Sequence, residues 1–468
     1  MTKIIKRWPL VSVYIPTFNY GRYVEQAIRS VLNQTYKNWE LIIINDGSTD
    51  KTDEIISKYE NDERVTIVRQ ENKGLTVTSN IALRLSKGKY IIRLDGDDYF
   101  DENALLVTTN YMELNPDIDL VYPDYYLIDE AGEIISIERR DKVNSDIELL
   151  DMPAHGAGTM FKRKVLLELG GYNEEIRCQD GYDIWIRFIQ NYKTGNINLP
   201  LFYYRQHENN LTKNKKTILE TRQFIKNKYA DIKRKTSGYE NIKRLAIIPV
   251  RAHSDIEFRL ALKKIAGMPL INYTLDEAIK SDKFDRIVLT CEDDEILNHV
   301  KENYPDIITI KRPLNYARRN TKLEPTVKYV LERLKEKFEE IMLLYVETPL
   351  RKKEHIIKAI DTMHLFDVDT VTSICETINP HFIHGKYGLT RIGNDERFRL
   401  ERKNIYEGNG VLLLFKSNNL LNKSIMGKRI GHINMLREDS VRLVSQFDLE
   451  IADMLLKKRR KEYKSDGN

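Results

Sequence analysis

The chain has 468 residues, and 75 Lys and Arg against 70 Asp and Glu leave a net charge of only +5. That length suits two or three domains with well-buried cores, while so slight a positive balance gives no argument for nucleic acid as a partner. Cys178, Cys291 and Cys375 show neither a pairing pattern nor zinc spacing, no run approaches the roughly 18 apolar residues of a membrane span, and the N-terminus lacks a signal-peptide apolar region, so a cytoplasmic protein is expected.

Apolar runs alternate with amphipathic stretches, the pattern of a largely parallel α/β sheet. Val11 to Ile15 predicts the first strand, and Val24, Ala27, Ile28, Val31 and Leu32 form a helical stripe after it. Leu41 to Ile44, Val65 to Val68 and Tyr90 to Leu94 predict three more strands. Ligands of such sheets sit beyond the carboxyl ends of the strands. Pro16-Thr17-Phe18-Asn19, Asn45-Asp46-Gly47 and Asp95-Gly96-Asp97-Asp98 all fall there, so three polar loops are expected to converge on one crevice.

The last of these is the most informative. Like charges this close repel, and oxygen ligands on a short turn suit Mg²⁺ or Mn²⁺ holding a diphosphate. The same residues also make a good surface turn. Residues 213 to 243, rich in Lys, Asn and Thr, predict a connecting helix and linker; a second strand-first unit opens at Leu245 to Val250. It continues through a helix at Leu270 to Ile279 and strands at Arg286 to Thr290 and Ile341 to Tyr345. The basic stretches Lys226 to Lys243 and Lys457 to Lys461 suit either an anionic membrane face, as in peripheral attachment at the inner face of a membrane, or a solvated helix face.

Residues 10 to about 210 resemble family 2 glycosyltransferases of the GT-A type. The matching segments are VSVYIPTFNYGRYVEQAIRSVLNQTYKNWELIIINDGSTD, NKGLTVTSNIAL, KGKYIIRLDGDDYF, and CQDGYDIWIRF followed by LPLFYYRQHENN. The resemblance implies a nucleotide-sugar donor, a UDP-sugar by family habit, a glycan or lipid-linked acceptor, and inversion at the sugar carbon. Pro16, Thr17 and Phe18 would wall the base, Asp46 would accept from base or ribose, and Asn72 is a further donor-side candidate, with Lys73 and Asn80. Asp97 would hold the ribose or a metal-bound water, Asp98 would ligate Mn²⁺ or Mg²⁺, and Asp95 would be either a further cofactor-binding support or only a turn former. Counting back from Trp185 makes Asp180 the catalytic base, although Gln179 and Gly181 replace the commoner acidic pair; a helix cap is the alternative. His207 would meet the metal or diphosphate, Arg205 would pair with phosphate or a nearby acid, and His155-Gly156-Ala157-Gly158 would face the acceptor.

From Leu245 onward the chain resembles CMP-sugar synthetases, the acylneuraminate cytidylyltransferases, through IIPVRAHS, KKIAGMPLINYTLDEAIKSDKFDRIVLTCEDDEI, RPLNYARRNT, LLYVETPLR, EGNGVLLLF and MLREDSVRLVSQFDLEIADMLL. The charges of that chemistry have changed. Asp255, Ile256, Leu260 and Ala261 stand where relatives carry lysine, glycine, lysine and asparagine, and Arg442 and Val444 replace two metal-binding aspartates. Arg312, Arg351, Arg402 and Asn409 remain candidates for an anionic pocket or for structural pairing.

The expected architecture is therefore α/β, with two tandem Rossmann-like nucleotide-sugar domains: a GT-A fold over 1–215, a helical linker over 216–243, and a non-catalytic cytidylyltransferase-like fold over 244–468 that also offers a homo-oligomer surface. Two other readings stay open: a bifunctional transferase and CMP-sugar synthetase, and a sugar-nucleotide-binding assembly subunit without turnover.

Overall fold

The computed structural model describes residues 8–139, 156–176, 178–208, 215–237, 242–319, 321–377, 381–385, 388–391, 405–422 and 424–465. It divides into two compact α/β units, one comprising Met1–Ile225 with Phe382–Lys403, the other Lys226–His381 with Asn404–Asn468. The predicted connecting segment is a helix, Lys215–Ser237, and the division falls inside it.

In chain order the first unit contains β1 (Val11–Thr17), α1 (Val24–Leu32), β2 (Trp39–Asp46), α2 (Thr52–Ile56), β3 (Val65–Gln70), α3 (Leu75–Leu85), β4 (Tyr90–Arg93), β5 (Tyr99–Phe100), α4 (Ala104–Leu114), β6 (Leu120–Ile128), β7 (Ile134–Glu138), β8 (Met160–Lys162), α5 (Arg163–Glu168), α6 (Asp180–Phe188) and β9 (Thr194–Arg205). The strands form one nine-stranded sheet in the order β3-β2-β1-β4-β8-β6-β9-β5, with β7 on β6. β3, β2, β1 and β4 run parallel; β8 is antiparallel to both its neighbours.

Both faces of this sheet are buried, which is why its strands read as continuous apolar runs. The two-residue side-chain period divides them. Val11, Val13, Ile15, Leu41, Ile43, Tyr90 and Ile92 pack against the stripe of α1 and against Leu105 and Met112 of α4. Tyr14, Ile42, Ile44 and Ile91 pack against Ala82 and Leu83 of α3, Val165 and Leu166 of α5, and Ile184, Trp185 and Phe188 of α6.

β1 and β2 run two residues further than the apolar pattern predicts. Pro16 pairs with Ile44 and Thr17 with Asn45. Pro16 is tolerated because β4 stops pairing at Tyr14, leaving a neighbour strand on one side only.

The second unit has a seven-stranded sheet in the order Ile308–Lys311, Arg286–Cys291, Arg244–Pro249, Glu340–Leu344, Ile405–Lys416, Thr370–Thr377 and Ile430–Asn434. The basic stretches are partly spent within it. Lys226 is fully buried, Lys233 Nζ donates to the Leu365 carbonyl and Arg234 pairs with Asp361. Arg459 donates to the Leu350 carbonyl and pairs with Asp439, and Arg460 donates to the Ala266 carbonyl. These cations face their own unit. Among the described residues no helix is long and apolar enough to cross one.

Candidate active site

The loops after β1, β2 and β4 converge as expected. Asn19, in the left-handed region at φ 56°, receives Thr49 N on its Oδ1 at 2.8 Å and donates its own N–H to Ser48 Oγ at 2.9 Å. Gly21 N donates to Asp50 Oδ2 at 2.8 Å. The turn after β4 closes through Asp98 N to the Asp95 carbonyl at 3.0 Å. Gly96 lies so close to the first loop that a Cβ there would sit 3.0 Å from Thr17 Oγ1.

This packing buries Asp97 and Asp98. Asp98 Oδ1 accepts from Arg205 N at 2.9 Å, but its buried Oδ2 has no hydrogen-bond partner. Burial, reinforced by Asp97 and Asp95, pushes the Asp98 carboxyl well above the usual range. Burial likewise raises Asp95 to about 6, with Arg93 opposing and Asp97 and Asp180 adding to the rise. Asp97 Oδ2 meets His207 Nε2 at 2.9 Å. The His207 ring stacks on Tyr23 at 5.7 Å and takes an edge contact from Tyr20 at 5.9 Å. Among the described residues no three His, Cys, Asp or Glu side chains form a ready-made cation cage. The donor set nevertheless fits a hard divalent ion that keeps waters and phosphate oxygens: an orphaned buried carboxylate oxygen, mutually repelling acids and one imidazole.

Asp180 opens α6, preceded by Gln179 in the left-handed region at φ 62°. Its Oδ2 receives Arg93 Nη1 at 2.5 Å, and Arg93 Nε stands 2.9 Å from Asp95 Oδ1. One buried guanidinium thus bridges the head of α6 and the acidic turn. Burial would lower the Arg93 pKa, but Asp180 and Asp95 hold it well above the ordinary value. The Tyr14 and Tyr172 hydroxyls, 2.8 Å apart, lie in the same field. A Cβ on Gly156 would overlap the Arg93 guanidinium, and Gly158 N donates to the Arg93 carbonyl at 2.8 Å. Asp183 instead pairs with Arg187, whose remaining donors reach the Leu169 and Gly171 carbonyls.

Other expected site residues have different employment. Both Asp46 oxygens are engaged: Oδ1 by Gln70 Nε2 and Lys73 N, Oδ2 by Gly74 N, so the carboxylate shapes the loop carrying exposed Asn72. Arg205 was expected at phosphate or at a nearby acid; its buried guanidinium donates to the Asp97, Asp129 and Glu130 carbonyls and to Gln26 Oε1. Its structural work is to brace the acidic turn. Asn80 clasps Tyr172 through both backbone groups and donates to Glu174. Phe18 is 43% exposed at the loop tip. His155 lies outside the described residues.

Arg93 is the residue that sequence reasoning passed over. Its signal was available: a charged side chain inside the buried run Tyr90 to Leu94 demands an internal partner.

In the second unit, Arg351 is fully surrounded, donating to the Tyr345 and Val411 carbonyls and to Thr274 Oγ1; burial lowers it to about 9. Arg312 donates to the Val250 carbonyl and pairs with Glu292, and Asn409 donates to Ser440 Oγ. These three serve the fold. Asp255, in the place of a lysine, pairs with Arg319 at 3.0 Å. Arg402 lies outside the described residues.

Two family models match the chain. Residues 12–170 match glycosyl transferase family 2, and residues 245–436 match the cytidylyltransferases. An uncharacterised glycosyltransferase of Methanocaldococcus jannaschii is 37% identical over 45% of this chain and 76% of its own. The chondroitin synthase of Escherichia coli is 34% identical over 40% of this chain and 27% of its own, and the hyaluronan synthase of Pasteurella multocida 31% over 47% and 23%. The chain thus spans about a quarter of the length of those two synthases.

Proposed function

This chain belongs to glycosyl transferase family 2, and on that premise we propose that its first unit transfers a sugar from a nucleotide-sugar donor, with inversion, to a glycan or lipid-linked acceptor in surface polysaccharide synthesis. The observation that carries the reading is the acidic turn with His207 on one side and Asp180 on the other, joined by Arg93. Similarity to chondroitin and hyaluronan synthases supports a glycan as acceptor.

Pro16, Thr17 and Phe18 border the base, with Asn72 on the loop that Asp46 shapes. Asp98, through its unpartnered Oδ2, and His207 would hold Mn²⁺ or Mg²⁺. Bound there, the ion supplies charge neutralisation at the departing diphosphate. Asp97 accepts from His207 Nε2–H and thereby fixes the ring tautomer, a device that tunes imidazole ligands. Asp180 removes the acceptor hydroxyl proton as that oxygen bonds to the anomeric carbon and the bond to the diphosphate breaks.

The test is release of free nucleotide from a panel of UDP-, dTDP- and GDP-sugars by the full chain with Mn²⁺. Release that disappears in Asp98→Ala is expected; no release from any donor, with or without glycan acceptors, overturns the proposal.

The match to cytidylyltransferases favours a second reading, in which the second unit makes a CMP-sugar. Arg442 and Val444 oppose it, because neither side chain ligates Mg²⁺. We assign that unit a non-catalytic role. Pyrophosphate release by the full chain from CTP and a sugar acid would reverse the assignment.

A further inference from the structure

We propose that Arg93 is a positioning residue for transfer: it aims Asp180 at the acceptor and ties that aim to the acidic turn through Asp95. The inference rests on Asp180 being the base.

Three observations carry it. First, the two contacts use different nitrogens of one rigid plane: Nη1 donates to Asp180 Oδ2 at 2.5 Å, while Asp95 is held as an ion pair, with Nε 2.9 Å from Oδ1 without hydrogen-bond geometry and Nη2 donating to Oδ2 at 3.5 Å. Second, the guanidinium has no room to move. Gly156 lies against it with space for no side chain, and Gly158 N anchors its backbone. Third, Asp180 sits on the first turn of α6, behind a left-handed residue, where no capping hydrogen bond from the Gln179 side chain steadies the helix start. Among the described residues, the charged and titratable groups facing Asp180 are Arg93 from β4, Asp95 from the turn, and the neutral Tyr14 and Tyr172 hydroxyls from β1 and the loop before α6. Only Arg93 among them is a cation. Without it, Asp180 faces an acid and two hydroxyls, and among the described residues no other cation is placed to orient the carboxylate.

A purely structural arginine would lower binding and turnover alike, whatever stands at position 180. A positioning arginine acts through Asp180 alone, and a double-mutant cycle separates the two. In the full chain, Arg93→Met is expected to lower kcat about 50-fold or more, approaching the loss on removing a general base. Affinity for UDP with Mn²⁺, measured by calorimetry, should change less than about 3-fold, and Arg93→Lys should recover about tenfold of the lost kcat, because charge persists without the fork. Placed in Asp180→Asn, Arg93→Met should cost no more than about 2-fold further. An equal loss in both backgrounds, or a loss of UDP binding in place of kcat, overturns the proposal. If Arg93→Met does not fold, Arg93→Lys runs the same cycle: a loss of about 5-fold against native Asp180 and none against Asn is expected, and additive losses refute it. The two readings fail differently. Near-normal turnover in Asp180→Asn removes the base itself, whereas an inactive Asp180→Asn with an additive cycle removes only Arg93.

Discussion

His207 Nε2 lies 2.9 Å from Asp97 Oδ2, joining residues 110 positions apart across the acidic turn and the end of β9. The contact is bracketed by Arg205, whose N–H goes to Asp98 and whose guanidinium goes to the Asp97 carbonyl. The strand end therefore sets both acids at once. The turn is the product of a distant strand as much as of its own residues.

Asp98→Ala should weaken Mn²⁺-dependent binding of UDP most, because it removes the unpartnered carboxylate oxygen. His207→Ala should cost about 10- to 100-fold, the scale reported for disturbed metal-site partners. Titration calorimetry with and without Mn²⁺ separates the two from a general loss of fold. Unchanged Mn²⁺ dependence in Asp98→Ala would count against ligation.

Asp180→Asn should leave UDP affinity intact and lower transfer by at least ~10²-fold. Single-turnover rates at saturating donor give the answer directly. A variant that still transfers at near-native rate would take Asp180 out of the mechanism.

Gly158→Ala should destabilise the first unit by about 2 kcal/mol, through left-handed strain and overpacking. Gly158 has φ +70°, and a Cβ there would come 2.5 Å from Phe202 Cδ1. Thermal unfolding checks it; an unshifted transition would mean that the Phe202 ring yields freely.

Glu340 tests the second unit. Buried between Arg244 Nε and His364 Nε2, each at 2.6 Å, it would be raised by burial, yet His364 and Arg244 hold it below its ordinary value of 4.5. Because the folded value is the lower one, the stabilisation is present above about pH 4.5 and is lost as pH falls through the folded value. Glu340→Gln should cost about 3 kcal/mol at neutral pH, as for breaking a buried ion pair, and flatten the acid side of the stability curve. Melting temperatures from pH 3 to 7 (about four units) measure both.

Much of this was legible in the chain. The runs Val11 to Ile15, Leu41 to Ile44 and Tyr90 to Leu94 gave their strands because both faces of a parallel sheet are buried. The polar loops landed together because such strands end on one side. Strand ends were read short, since Asn45, Asp46 and Thr17 look like loop residues while their backbones still pair. Arg205 stayed open between phosphate and a nearby acid because a sequence does not show which way a guanidinium points; here it points at the Asp97, Asp129 and Glu130 carbonyls. The Arg93 link to Asp180 was missed because the two lie 87 residues apart, although a charged side chain inside the buried run Tyr90 to Leu94 already asked for a partner. Spacing rules reach a helix turn or a hairpin, not that far.

On the proposed reading, the crowding of Asp95, Asp97 and Asp98 would give the protein a built-in gauge. A cation that relieves their repulsion raises the melting temperature by binding the folded chain alone. Dye-based melting curves can rank Mn²⁺, Mg²⁺ and Ca²⁺ before any donor sugar is known, with a chelator-stripped sample as baseline. Preparations carrying adventitious ions would blunt that contrast, so buffer history belongs in the design of the first assay.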